Sequence, residues 1–212
     1  MEVRMFTVGQ IAENSYVFRR DGSDRALIVD PGDEADKLLA AIDGLGLKLD
    51  GVLLTHTHFD HVGAVAPVAK ATGAEVWVPQ REKFVLDDIN SYVPWPGFGP
   101  FEPYDAEHTL QGGERLELAG LEIDVLFTPG HSPGHVTFSI PDEAAIFSGD
   151  VLFQGSVGRT DLPGGDWATL LESIRTLVDT LPAETTVYPG HMGITSLAAE
   201  RASNPFLAEL AR

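Results

Sequence analysis

The chain has 212 residues, a formal net charge of −18 and no cysteine. That length buries a core without external staples, and the lack of cysteine excludes disulfides and thiolate ligands, so any metal centre must draw on His, Asp and Glu. The acidic balance sets phosphate backbones aside as partners. With no apolar leader core and no apolar run of membrane length, no membrane association is expected and the expected location is the cytoplasm.

In chain order, residues 3–8 and 15–19 read as strands joined by a turn, and 26–29 as a short apolar strand ending at the Asp30-Pro31-Gly32 turn. Residues 33–45 carry Leu38, Leu39, Ile42 and Leu45 at helical spacing, with Gly46 as a stop. Residues 51–54 form a buried strand, 63–72 a helix with Pro67 tolerable only near its start, and 75–78 another strand. Residues 80–111 break the rhythm. A short helix over 81–89 leads into Tyr92-Val93-Pro94-Trp95-Pro96-Gly97-Phe98-Gly99-Pro100-Phe101, too rich in Pro and Gly for an element and too aromatic for an idle linker. Such a loop is either a lid or binding wall, or a segment tucked onto the body by its aromatics. Strands resume at 115–118, 121–127, 136–140 and 144–148. An amphipathic helix over 167–181 has Asp166 as its N-cap, and a strand at 187–188 precedes a C-terminal helix. Nothing divides the two halves, so residues 1–212 are expected to form one domain, with two sheets between helical layers.

The chemistry concentrates in Thr55-His56-Thr57-His58-Phe59-Asp60-His61, which follows an apolar strand. Burying those imidazoles and that carboxylate without partners costs several kcal/mol. A divalent cation satisfies them together, and on an extended chain His56 and His58 point to the same side. Three further residues follow an apolar strand and a glycine: His131, Asp150 and His191. Taken singly each has a structural use. Asp60 suits a helix N-cap, Asp150 a turn, and His131 a hydrogen bond within a turn. Taken jointly, the pattern points to a metal centre at strand ends.

These residues resemble, in order, the five-part signature of the metallo-β-lactamase superfamily. The resemblance implies an αββα sandwich of α/β class, with two mixed sheets flanked by helices and a metal site along one edge. It implies that His56, His58 and His131 hold one metal, that Asp60, His61 and His191 hold a second, and that Asp150 bridges them. It implies that both cations are divalent. Zinc is expected first, and iron or manganese suits the same donors. His131-Ser-Pro-Gly-His135-Val, the stretch from Leu152 to Asp161 with its Gly-Arg-Thr-Asp end, and Asn204-Pro205-Phe206-Leu207 are similar to the glyoxalase II group, hydroxyacylglutathione hydrolases of a short bacterial subtype without the C-terminal helical domain. That resemblance implies a thioester hydrolase acting on S-lactoylglutathione or a related acyl-thiol through a metal-bridging hydroxide, with Asp60 and Asp150 as its catalytic carboxylates. His135 is expected behind the ligands rather than among them, and His108 on the surface. Arg159 either meets a substrate carboxylate or pairs with an acid such as Asp161, and Tyr92, Trp95 and Phe98 are expected to wall the substrate. Homo-oligomerisation stays open. The alternatives are a persulfide dioxygenase with one Fe(II) on His56, His131 and Asp150, a hydrolase of another ester or lactone, and a non-catalytic metal-binding protein.

Overall fold

The computed structural model describes residues 1–207. Alternation along the strands decides the layering. Within each strand of the first half side chains alternate: Tyr16, Phe18, Leu27, Val29 and Leu53 face one apolar cluster, while Val17, Ala26, Ile28, Val52 and Leu54 face another. Period-two side-chain placement with both faces apolar means a sheet covered on both sides. That sheet has the order β1 (Glu2–Val8), β2 (Glu13–Arg19), β3 (Arg25–Val29), β4 (Lys48–Leu53), β5 (Glu75–Pro79) and β6 (His108–Leu110). It is antiparallel from β1 to β3 and parallel from β3 to β6. Its outer face is covered by α1 (Ala35–Gly44) and α3 (Val65–Thr72) through Leu38, Ile42, Val65 and Val68.

The second sheet contains β7 (Arg115–Leu118), β8 (Leu121–Phe127), β9 (Val136–Ile140) and β10 (Ala145–Gly149). A separate hairpin of β11 (Leu152–Phe153) and β12 (Ser156–Val157) follows, and β13 (Thr186–Pro189) and β14 (Thr195–Ser196) complete the sheet in the order β14-β13-β10-β9-β8-β7. Only β10 and β13 pair in parallel. Ile123, Val125, Val136, Phe138 and Phe147 face the first sheet across the central core, and Ile146 and Val187 face α5 (Trp167–Thr180) and α6 (Leu197–Ser203). The result is helix, sheet, sheet, helix, as expected. Each of its three cores sits between two layers.

Element boundaries depart from expectation in instructive places. The helix anticipated at 63–72 begins at Val65, which puts Pro67 in the first turn, where its missing N–H costs nothing. Ahead of it stands an unanticipated short helix, α2 (Phe59–Val62), that contains Asp60 and His61, with His58 at its N-cap. Asp60 therefore lies inside the helix rather than at its N-cap. The stretch expected as a helix over 81–89 is a 3-10 turn (Gln80–Glu82), α4 (Lys83–Asp87) and a second 3-10 turn (Ile89–Tyr92). Asp166 caps α5 by accepting the Thr169 N–H at 2.8 Å. Among the described residues no helix is long and apolar enough to cross a membrane.

Candidate metal centre

The site lies where β4, β8, β10 and β13 run out along one edge of the paired sheets. Beyond β4 the chain bends at Thr55 and reaches His58 in an extended conformation (φ −63°, ψ 143°) before α2 begins, with His56 and His58 brought together at the same site. The α2 turn then brings Asp60 and His61 around. His131 and His135 come from the turn between β8 and β9, Asp150 follows β10, and His191 follows β13.

His56, His58 and His131 form the first group, with donor atoms all within 4.8 Å of one another. His56 Nε2 is 3.1 Å from His58 Nδ1, which is 2.8 Å from His131 Nε2. His131 Nδ1 donates to the Arg159 carbonyl at 2.8 Å. His56 Nδ1 faces Thr55 Oγ1 at 3.0 Å, and that hydroxyl donates onward to Asp30 Oδ2 at 2.6 Å. These partners fix the tautomers of both rings, so their inward nitrogens present lone pairs. Burial pushes His56 well below its ordinary pKa. Burial, reinforced by His131, pushes His58 down to about 4. Converging neutral imidazoles are ready ligands.

Asp60, His61 and His191 form the second group, again within 4.8 Å. Asp60 Oδ2 stands 3.4 Å from His191 Nε2 and 3.7 Å from His61 Nε2. Asp150 lies between the groups, with Oδ1 3.4 Å from His61 Nε2 and Oδ2 3.5 Å from His131 Nε2 and 3.6 Å from His191 Nε2. Burial works against the Asp150 carboxylate, yet His61, His191 and His131 outweigh it and hold the group far below the usual carboxylate range. Burial likewise opposes a charge on His61, and Asp150 and Asp60 overcome it, raising its pKa well above the ordinary value.

The donor set fits a cation. His61 Nε2 and Asp150 Oδ1 are buried without a hydrogen-bond partner. Each such orphan costs about 1–3 kcal/mol, and a shared divalent ion relieves both. The structure thus brings His56, His58, Asp60, His61, His131, Asp150 and His191 to one place. Asp30, His56 and His61 also offer donors within 4.8 Å. Asp30 already has both oxygens engaged there, since it accepts the Thr55 N–H at 2.8 Å, the Thr55 hydroxyl and His61 Nδ1 at 3.0 Å. We therefore read it as a support for the ligands.

Asp30 is a residue of this site that sequence reasoning missed. Its signal was present, because an apolar strand ends in a carboxylate there just as β10 leads to Asp150, but Asp30-Pro31-Gly32 reads more simply as a turn. Asp30 does turn the chain (φ +48°), and it is 1% exposed. Behind it, Glu13 Oε1 is buried 3.8 Å from His61 Nδ1, and burial pushes Glu13 well above its ordinary pKa.

His135 is fully buried, stacks 5.1 Å from His56, and accepts the Asp150 N–H on Nε2 at 3.1 Å, while Nδ1 meets Thr128 Oγ1 at 3.1 Å. Gly190, just before His191, has no room for a side chain: a Cβ there would run into Asp150 Oδ1 and come within 2.7 Å of the His61 ring. Among the loop aromatics, Phe98 and Trp95 meet Phe59 at 4.9 and 6.0 Å between ring centroids, beside His58 and Asp60. Tyr92 lies against Phe84 instead, at 5.5 Å. Arg159 is held by Asp161 through two hydrogen bonds of 2.6 and 2.7 Å, with its guanidinium 5.7 Å over the Trp95 ring. Phe153, from β11, stands 5.7 Å from the His191 ring. His108 is far from all of this, on β6, stacked on Trp77 and paired with Glu75 at 2.7 Å.

Residues 8–191 match the family described as the metallo-beta-lactamase superfamily. The chain is 41% identical to a probable metallo-hydrolase, YqgX, of Bacillus subtilis over 98% of both chains. It is 39% identical to the hydroxyacylglutathione hydrolase GloC of Haemophilus influenzae, over 88% of this chain and 89% of that one. Two solved structures superpose closely. The BLEG-1 B3 metallo-beta-lactamase has a TM-score of 0.92 at 38% identity, covering 97% of this chain and 99% of that one. TTHA1623 in a di-iron-bound form has a TM-score of 0.80 at 42% identity, covering 96% and 100%.

Proposed function

The chain belongs to the metallo-beta-lactamase superfamily, and we propose that within it the chain is a thioester hydrolase, acting at two divalent metals on hydroxyacyl-thiols such as S-lactoylglutathione. The observation that carries this reading is Asp150, one carboxylate within 3.6 Å of ligand-type nitrogens in both donor groups. His56, His58 and His131 would hold one cation, Asp60, His61 and His191 the other, and Asp150 both. When bound, such a pair supplies a water nucleophile at neutral pH and polarises a carbonyl.

The chain's own residues account for the rest. Burial opposes the charge on Asp60, but His61 and His191 keep its carboxyl below the ordinary range, so it stays ionised and orients the attacking water by accepting a hydrogen bond. Asp30 fixes His61 directly and His56 through Thr55, and His135 holds the backbone of Asp150. The leaving thiolate has a conjugate acid of pKa about 8.5 and departs without a dedicated proton donor. Trp95 and Phe98 wall the acyl-thiol on one side, with Arg159 above Trp95. The relative named GloC supports the substrate class. Zinc is the metal we expect, and the all-nitrogen and oxygen donors suit iron as well. We place the reaction in the cytoplasm, on a small molecule rather than a nucleic acid, given the net charge of −18.

The test is metal analysis of the purified chain together with its rate on S-lactoylglutathione. Two metals per chain and oxygen-independent cleavage are expected. A single iron with oxygen uptake on glutathione persulfide would instead establish the dioxygenase. A second reading, opening of a β-lactam ring, is favoured by the likeness to BLEG-1. Turnover of a chromogenic cephalosporin faster than that of the thioester would put it first.

A further inference from the structure

Glu82 belongs to neither donor group, yet it touches the loops that carry the first. It closes the 3-10 turn after β5 and is 3% exposed. Its Oε2 accepts the Thr57 N–H at 2.9 Å and the Thr57 hydroxyl at 3.1 Å, and its Oε1 accepts the Gly134 N–H at 2.7 Å. Thr57 is the residue between His56 and His58. Gly134 lies in the turn between His131 and His135. One buried carboxylate therefore ties together the loops from opposite halves of the chain that supply the three facing imidazoles. The close approach depends on glycine at 134, where a Cβ would meet Glu82 Cγ at 2.9 Å and Oε1 at 3.0 Å. The same segment reaches the ligand run a second time, because Phe98 and Trp95 lie on Phe59. Both residues interleaved among the ligands of His56-Thr57-His58-Phe59-Asp60 are thus held by residues 82–98.

We propose that Glu82 is a positioning residue for the first donor group: it sets the separation of His56 and His58 from His131, and hence the affinity of that group for its metal. The inference rests on the metal reading above. A carboxylate accepting from both loops pre-organises ligands that would otherwise be ordered only when a cation binds. In Glu82→Gln the volume is kept, but a single amide oxygen serves one loop, and the NH2 faces the N–H or O–H donors of the other.

The experiment measures zinc affinity by competition with a chelator in two backgrounds. His191→Ala leaves the first group complete, and His58→Ala breaks it. In the His191→Ala background, Glu82→Gln is expected to weaken zinc binding by about tenfold to a hundredfold, the range for removing a partner that orients a ligand. In the His58→Ala background it should change nothing. Equal affinity with and without Glu82→Gln in the first background overturns the proposal, and so does equal weakening in both, which would mark Glu82 as a general structural residue. If Glu82→Gln does not fold, Thr57→Val removes the hydroxyl donor alone and must still weaken zinc in the His191→Ala background only; no shift there overturns the proposal. A wild-type chain that binds no zinc, iron or manganese sinks the metal reading itself, whereas a wild-type chain that binds metal while the variants match it sinks only the role of Glu82.

Discussion

Replacing Asp30 by Asn tests the support behind the second donor group with almost no change of shape. Asn is tolerated at the left-handed φ of +48° that Asp30 adopts, so no backbone strain is added. The Asn oxygen keeps the Thr55 N–H, now bonded at 2.8 Å to Oδ1. The NH2 takes the place of Oδ2, which accepts the Thr55 hydroxyl at 2.6 Å and His61 Nδ1 at 3.0 Å. Two donors then confront a donor. Either the His61 Nδ1–H is orphaned, or the ring changes tautomer and places its proton on Nε2, the nitrogen aimed at Asp150 and Asp60. Losing one hydrogen bond to a charged group costs about 1.5–3 kcal/mol. At about 1.4 kcal/mol per decade this is roughly a tenfold to hundredfold loss of metal affinity. The assay is zinc competition against a chelator, with metal content read after dialysis and turnover alongside. The second metal should leave first while the far-ultraviolet spectrum stays unchanged. Wild-type zinc affinity in Asp30→Asn would refute the claim that Asp30 fixes the His61 tautomer.

Other substitutions probe different links. Asp150→Ala is expected to abolish thioesterase activity and release at least one metal; full occupancy with normal turnover would remove Asp150 from its shared position. His58→Ala should cut turnover by orders of magnitude, and unchanged steady-state kinetics would take His58 out of the site. Gly190→Ala should depress metal content, because the new methyl occupies the place of Asp150 Oδ1; retained stoichiometry would show that the β13 end yields easily. Phe138→Ala, at a fully buried position between the sheets, should lower the stability of the metal-free chain by about 3–5 kcal/mol in denaturant unfolding. A loss below about 1 kcal/mol would mean that the central core collapses around the gap.

Much of this architecture is legible in a single chain because the two periodicities are local. The apolar face of residues 167–181 and the capping aspartate before it announce α5, and the short apolar runs announce the strands. What local pattern did not yield was α2. Four residues are too few for a periodic signal, and this helix is where the chain turns between the two donor groups. Strands β11, β12 and β14 are two residues each and equally silent. The aromatic loop was open between wall and packing, and it serves packing at least in part, with Phe98 and Phe101 set against the first core.

The candidate ligand residues were legible in the sequence alone, since seven His and Asp side chains after apolar runs point together to a cation, and the structure brings their donor atoms close to one another. Their supports were decided only by the tertiary structure. Asp30 is 31 residues from the His61 it orients, and Glu82 is 52 residues from the Gly134 it holds. A carboxylate that accepts from backbone N–H groups and hydroxyls places no requirement on its neighbours in the chain. Its meaning appears only when folding delivers those donors and removes the water that would otherwise have taken their place.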